Sequence, residues 1–105
     1  MILNRLNRPS ILVLPVKGIY FDQMKAGTKL FEFRLRTPYW RRRLEGRQYD
    51  LVCITKGYPS SSDTERRLVV PWNGYEEQTL THEFFGADPV DVFAIRIVLP
   101  AVRLD

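Results

Sequence analysis

Lys29, Glu32 and Arg34 put an ammonium, a carboxylate and a guanidinium into one short stretch. The stretch around them alternates as a β-strand does, yet carries the further charge Arg36. Strands packed on a core seldom hold that many charges unless one face opens onto solvent or a site. In a partly enclosed cleft, two cations would hold Glu32 ionised. Lys29 could bind a phosphate, polarise a carbonyl or, with its pKa lowered by burial and by Arg34, act as a base. Glu32 could accept hydrogen bonds from a nucleobase edge or shuttle a proton. The plainer alternative is a structural ion-pair network that closes the mouth of a barrel, and spacing alone favours it.

Two further groups could belong to the same mouth. Tyr39 and Trp40 stand beside Arg41, Arg42 and Arg43. Rings next to guanidinium groups suit single-stranded nucleic acid, because bases stack and phosphates pair with arginine. The alternative for both rings is core packing, and for Trp40 it is the better one. Thr55-Lys56-Gly57-Tyr58-Pro59 offers a lysine and a tyrosine at a strand end beside a Ser-rich loop that could close over a ligand. Lys17, at the end of the first apolar run, is another candidate for the mouth. His82 stands alone between Thr81 and Glu83 and reads as a surface or hydrogen-bonded histidine rather than a metal ligand. Ser60–Ser62 have no local base, which argues against a serine nucleophile. No Gly-rich phosphate cradle occurs.

Charge is concentrated where these groups lie. From Gly27 to Arg47 there are seven basic residues (Lys29, Arg34, Arg36, Arg41, Arg42, Arg43, Arg47) against Glu32 and Glu45. That is a net +5 in a chain whose total is +4, so the remainder is near neutral. An anionic partner follows from the clustering, against the bland alternative of a solvated basic face. At 105 residues the chain is expected to be one domain over 1–105 with a modest core. No run approaches the ~20 apolar residues a membrane span needs. The N-terminus lacks a signal-peptide pattern. A single cysteine, Cys53, allows no internal disulfide, and a reducing cytoplasm is the simplest setting. One His and one Cys make no structural zinc site, and no metal or cofactor is expected.

Gly27-Thr28-Lys29-x-x-Glu32-x-Arg34 resembles the G-x-K-x-x-E-x-R signature of the ASCH domain, a small β-barrel family related to the PUA fold. A short helix before the motif, a Thr-Pro-Tyr-Trp-Arg helix after it, a strand leading to Lys56-Gly57-Tyr58-Pro59 and a closing strand extend the resemblance over nearly the whole chain. It implies a small stand-alone bacterial or phage ASCH protein that binds RNA or a nucleotide-like molecule. In some small bacterial relatives, the residue matching Lys29 belongs to a site that hydrolyses N4-acetylcytidine. Those enzymes carry a threonine where this chain has Glu32. Other relatives are described as metal-dependent ribonucleases or nucleic-acid-binding modules. The resemblance moves the weight from a structural network to a site.

The elements that must position these residues read in order as follows. Residues 1–10 are a polar lead-in. Ile11–Lys17 is a buried strand, and Ile19–Lys25 a short helix ending at Gly27. Lys29–Leu35 is the motif strand, with Phe31, Phe33 and Leu35 on its core face and Glu32 and Arg34 on the other, ~6.5–7 Å apart. Strict alternation puts Lys29 with the phenylalanines, so a bulge must re-aim it or it lies outside the pleat. Thr37 caps and Pro38 opens a second helix that stops by Gly46, with Trp40 and Leu44 inward. Leu51–Ile54 suits a central strand with Cys53 inert in it. Arg66–Pro71 and Tyr75–Thr81 flank Asn73-Gly74 as a hairpin. Phe84 and Phe85 form an aromatic plug, and Val92–Leu99 is the last strand.

The whole predicts a mixed α/β, mainly β protein: a PUA-like barrel of about five to six strands with two short helices. The cleft is expected to be lined by Lys29, Glu32 and Arg34, with Lys17, Tyr39, Lys56 and Tyr58 around it. Arg36, Arg41, Arg42, Arg43 and Arg47 form an electrostatic patch. The expected activity is RNA or nucleotide binding. The rivals are a hydrolase with Lys29 and Glu32 as catalytic groups, and a protein-interaction module.

Overall fold

In the computed structural model, which describes residues 8–102, six strands and two helices follow one another. They are β1 (Ile11–Val16), α1 (Gly18–Lys25), β2 (Phe31–Leu35), α2 (Pro38–Leu44), β3 (Leu51–Lys56), β4 (Arg67–Pro71), β5 (Tyr75–Leu80) and β6 (Val90–Arg96). A single 3₁₀ turn, Glu83–Phe85, joins the last two strands. Most of the polar lead-in expected over 1–10 lies outside the described residues. Ser10, inside them, is tied down: its N–H donates to Asp50 Oδ2 at 2.7 Å and its carbonyl accepts from Asp50 and Leu51.

The strands form two three-stranded sheets, β1-β3-β4 and β2-β6-β5. This corrects the closed PUA-like barrel. No ladder among the described residues joins β1 to β2 or β4 to β5, so both sheets keep free edges. The strand and helix counts agree with expectation; closure does not. The hairpin expected around Asn73-Gly74 is corrected too. β4 pairs with β3 and β5 with β6, so the Asn-Gly corner carries the chain from one sheet to the other. Gly74 still takes the left-handed conformation the corner requires, at φ +73°. Arg96 holds the corner by donating from Nη1 to the carbonyls of Asn73 and Tyr75.

β3 is the centre of its sheet, parallel to β1 and antiparallel to β4. Its apolar run is buried on both faces except at Cys53, which is half-buried. The core draws Leu12, Leu14 and Val16 from β1, Val52 and Ile54 from β3, and Phe93 and Ile95 from β6. Phe21 and Met24 of α1 and Leu44 of α2 close it. Each such side chain removed from water contributes roughly 1.5–3 kcal/mol. β2 sends no apolar side chain into this cluster.

The helix boundaries follow local chemistry. α1 ends at Ala26, and Gly27 follows at φ +82°. Thr37 Oγ1 accepts from the Trp40 N–H at 3.3 Å, and Pro38 opens α2. Leu44 is fully buried and Trp40 packs on the core, as their four-residue spacing requires. Among the described residues, no helix is long and apolar enough to cross a membrane.

Candidate functional site

The site begins with the orientation of β2, which is the reverse of the expected one. Glu32 pairs across the sheet with Ile95 and Arg34 with Phe93, both core residues. Residues directly opposite in a ladder share a face. The charged pair therefore points inward, and Phe31, Phe33 and Leu35 point away from the core. Glu32 is 7% exposed and Leu35 36%. Alternation identifies which residues share a face but not which face is inside.

β2 is also an edge. Ile97 N–H donates to Leu30 O and Arg36 N–H to Asp91 O, so even-numbered residues turn their backbone groups to β6. Odd-numbered residues turn theirs outward, because the pattern alternates. On β1, the Val16 carbonyl accepts from Gly57 on the β3 side, so Pro15 faces the free edge. Its missing N–H is harmless there.

The Glu32–Arg34 pair fills the gap between these edges. Arg34 Nε and Nη2 lie 2.8 and 2.7 Å from Glu32 Oε2. The same Nη2 donates to the Pro15 carbonyl at 2.6 Å. The guanidinium also lies 4.9 Å from the Trp40 ring centre. Burial pushes the Glu32 carboxyl above its ordinary range. Arg34, Lys29 and a hydrogen bond from the Phe33 backbone pull the other way and are outweighed.

Lys29 lies before β2, outside the regular pleat. Its N–H donates to Gln23 O at 3.2 Å, and Thr28 bonds to the same carbonyl through N–H and hydroxyl. The turn thus pins Lys29 to the end of α1. Its Nζ sits 4.4 Å from the Phe33 ring centre and 5.3 Å from that of Tyr20. No carboxylate of the described residues is within ion-pair distance of it. Burial lowers its pKa, against a smaller opposing pull from Glu32.

These three side chains border one open cavity of about 580 Å³. Lys17, Tyr39 and Tyr58 border it as well, as expected from the sequence. Lys17 Nζ rests 4.6 Å from the centre of the Phe84 ring. Tyr39 is 53% exposed and Tyr58 91%, so both are rim groups. Tyr20, Phe33, Trp40, His82, Phe84 and Phe85 complete the aromatic lining.

Lys56 is not among the lining residues. Its Nζ lies 3.1 Å from Asp22 Oδ1 on α1, and this ion pair draws it off the mouth. The arginine patch is partly neutralised. Arg36 pairs with Glu77 at 3.0 Å and Arg41 with Glu45 at 3.2 Å. Arg43 packs its guanidinium over Tyr39 and Trp40. Arg42 and Arg47 are exposed on the outer side of the α2 end, where Arg47 Nε donates to the Arg42 carbonyl.

Sequence reasoning read His82 as a surface or hydrogen-bonded histidine, which its bond from Phe84 bears out, but did not place it at the cavity. Its Nδ1 accepts from the Phe84 N–H at 3.0 Å, which seats the ring beside Tyr20, Phe33 and Phe85. The signal was present in the turn residues: a histidine acceptor two residues before the backbone N–H that it caps. Among the described residues, no three of His, Cys, Asp and Glu cluster closely enough to hold a metal ion.

Compared with protein-family models, with curated proteins and with solved structures, the chain matches none.

Proposed function

We propose that this chain is an ASCH-type module that binds RNA or a nucleotide-like ligand, with one base received in the cavity beside β2. The observation that carries the reading is the joint lining of that cavity. Lys29 and Lys17 supply positive charge, the Glu32–Arg34 pair supplies hydrogen-bonding edges, and eight aromatic or imidazole rings surround them. A volume of about 580 Å³ suits one small ligand. Base stacking on an aromatic side chain is worth about 1–3 kcal/mol. Stacking would extend to the rim tyrosines Tyr39 and Tyr58, and the exposed Arg42 and Arg47 would add positive charge for a flanking backbone.

Titration of short single-stranded RNA at several salt concentrations tests this. Affinity should fall with salt by a slope of about 0.7 per phosphate neutralised, and Lys29→Ala should weaken it. Binding that ignores both salt and that substitution would overturn the reading.

A hydrolytic reading is favoured by one observation: Lys29 is a partly buried amine whose pKa is lowered and whose neighbourhood includes a carboxyl with a raised one. Such a pair can divide base and acid roles. It predicts release of acetate from N4-acetylcytidine, lost in Lys29→Ala with the fold intact. An absence of product would remove this reading and leave the binding one standing.

A further inference from the structure

The cavity's charge balance is unequal. Its one carboxylate, Glu32, already has Arg34 against it at 2.7 Å. Lys17 and Lys29 have no such partner among the described residues; each rests its ammonium on a ring face instead. A cation on a ring keeps most of its power to attract an anion, since the contact is worth only about 0.5–2 kcal/mol. Two positive charges without an ion-pair partner among the described residues therefore face the same cavity.

We infer that the ligand of this cavity carries a phosphate monoester, either on a free mononucleotide or at the phosphorylated end of a single strand, and that Lys17 and Lys29 select it. The inference rests on the nucleotide-binding reading above and specifies the group that anchors the ligand. A monoester carries about −1.5 to −2 charges at pH 7, which matches two ammonium groups. An internal phosphodiester carries one. A cavity sized for one small ligand also fits a strand end better than a strand passing through, which must both enter and leave. Lys17 and Lys29 approach by way of Phe84 and of Tyr20 and Phe33, and the Tyr20 and Phe84 ring centres are 6.2 Å apart. Both cations thus belong to one aromatic group in the cavity wall.

The experiment compares nucleosides, nucleoside monophosphates, inorganic phosphate, and RNA tetranucleotides with hydroxyl or phosphate ends, titrated calorimetrically into the full chain. Monophosphates should bind at least about tenfold tighter than nucleosides, the scale of one charge-assisted hydrogen bond. A phosphorylated end should improve the tetranucleotide by a similar factor. Lys17→Ala should remove most of that preference. Lys56→Ala, outside the cavity, should keep the preference intact. The preference should shrink below about pH 6, where the monoester gains a proton. Tighter binding of the phosphorylated tetranucleotide but not of the monophosphate would identify a strand end as the ligand. The reverse would identify a free nucleotide. Equal affinity for hydroxyl and phosphate forms overturns the inference and leaves the binding reading intact. No binding by any of the probes removes both.

Discussion

Arg34 on β2 donates from Nη2 to the Pro15 carbonyl on β1 at 2.6 Å, joining two sheet edges that share no backbone ladder. The same guanidinium holds Glu32, so one side chain latches the edges and orders the polar wall of the cavity. Latch and site are therefore one construction rather than alternatives.

Removing only the cation should be costly. Arg34→Met leaves a nearly buried carboxylate unpaired and the Pro15 carbonyl without its donor. Breaking a buried pair in this way costs roughly 3–5 kcal/mol, and the residual exposure of the Arg34 side chain, 19%, points to the lower end. The double variant Glu32→Gln/Arg34→Met should recover a substantial part of that loss. Urea unfolding of the three proteins measures it. A double variant no more stable than the single one would mean that the tie to Pro15, not the ion pair, dominates.

Stability should depend on pH through Glu32 and Lys29 with defined signs. The Glu32 pKa is raised above its ordinary 4.5 by burial, so the folded state holds the proton longer than the unfolded chain. Its contribution is then fully present below 4.5 and is lost as pH rises through the folded value. Lys29 has a folded pKa below its ordinary 10.5, so folding releases its proton. Stability should rise as pH climbs from that lowered value towards 10.5. Comparing wild type with Glu32→Gln isolates the acidic limb. Wild type should lose stability relative to the variant as pH rises above 4.5. A relative gain would show that Arg34 outweighs desolvation.

The N-cap of α2 supports Tyr39 and Trp40 at the cavity. Thr37→Ala should cost about 1 kcal/mol and lower the thermal midpoint by roughly 4–8 °C. A thermal melt checks it, and an unchanged midpoint would mean that Pro38 and the packing of Leu44 hold the helix without the hydroxyl.

Rim and floor should separate in binding. Tyr39→Ala, at a half-exposed stacking position, should weaken a single-stranded RNA by about 1–3 kcal/mol with little effect on folding. Lys56→Ala should leave affinity unchanged, because Asp22 engages its ammonium. A loss of affinity in Lys56→Ala would mean that Lys56 leaves Asp22 when ligand binds.

Much of the fold was legible from local signals. Thr37-Pro38 starts a helix, Gly27 follows one, and the unbroken run around Val52 is central in its sheet. The convergence of Lys29, Glu32 and Arg34 on one cavity was not readable from their spacing, which favoured a structural network and set Lys29 on the face opposite Glu32; only the resemblance to the ASCH signature pointed to it. Other features depend on partners far away in the chain. Which face of β2 turns inward is decided by its pairing with Phe93 and Ile95, and alternation carries no sign. The Asn73-Gly74 corner satisfies a local turn whether or not its flanking strands pair, so it could not reveal that they join different sheets. Closure failed for the same reason: strand count says nothing about the gap that Arg34 spans. Lys56 was misassigned because Asp22, which holds it, lies 34 residues away.

The most direct test of the central claim is a chemical-shift map of the backbone amides during titration with a nucleoside monophosphate. Shifts should concentrate at Lys17, Lys29, Phe33, Tyr39 and the turn from His82 to Phe85, and Lys29→Ala should weaken them. Shifts confined to Arg42, Arg47 and the outer side of α2, with the cavity amides unmoved, would contradict it.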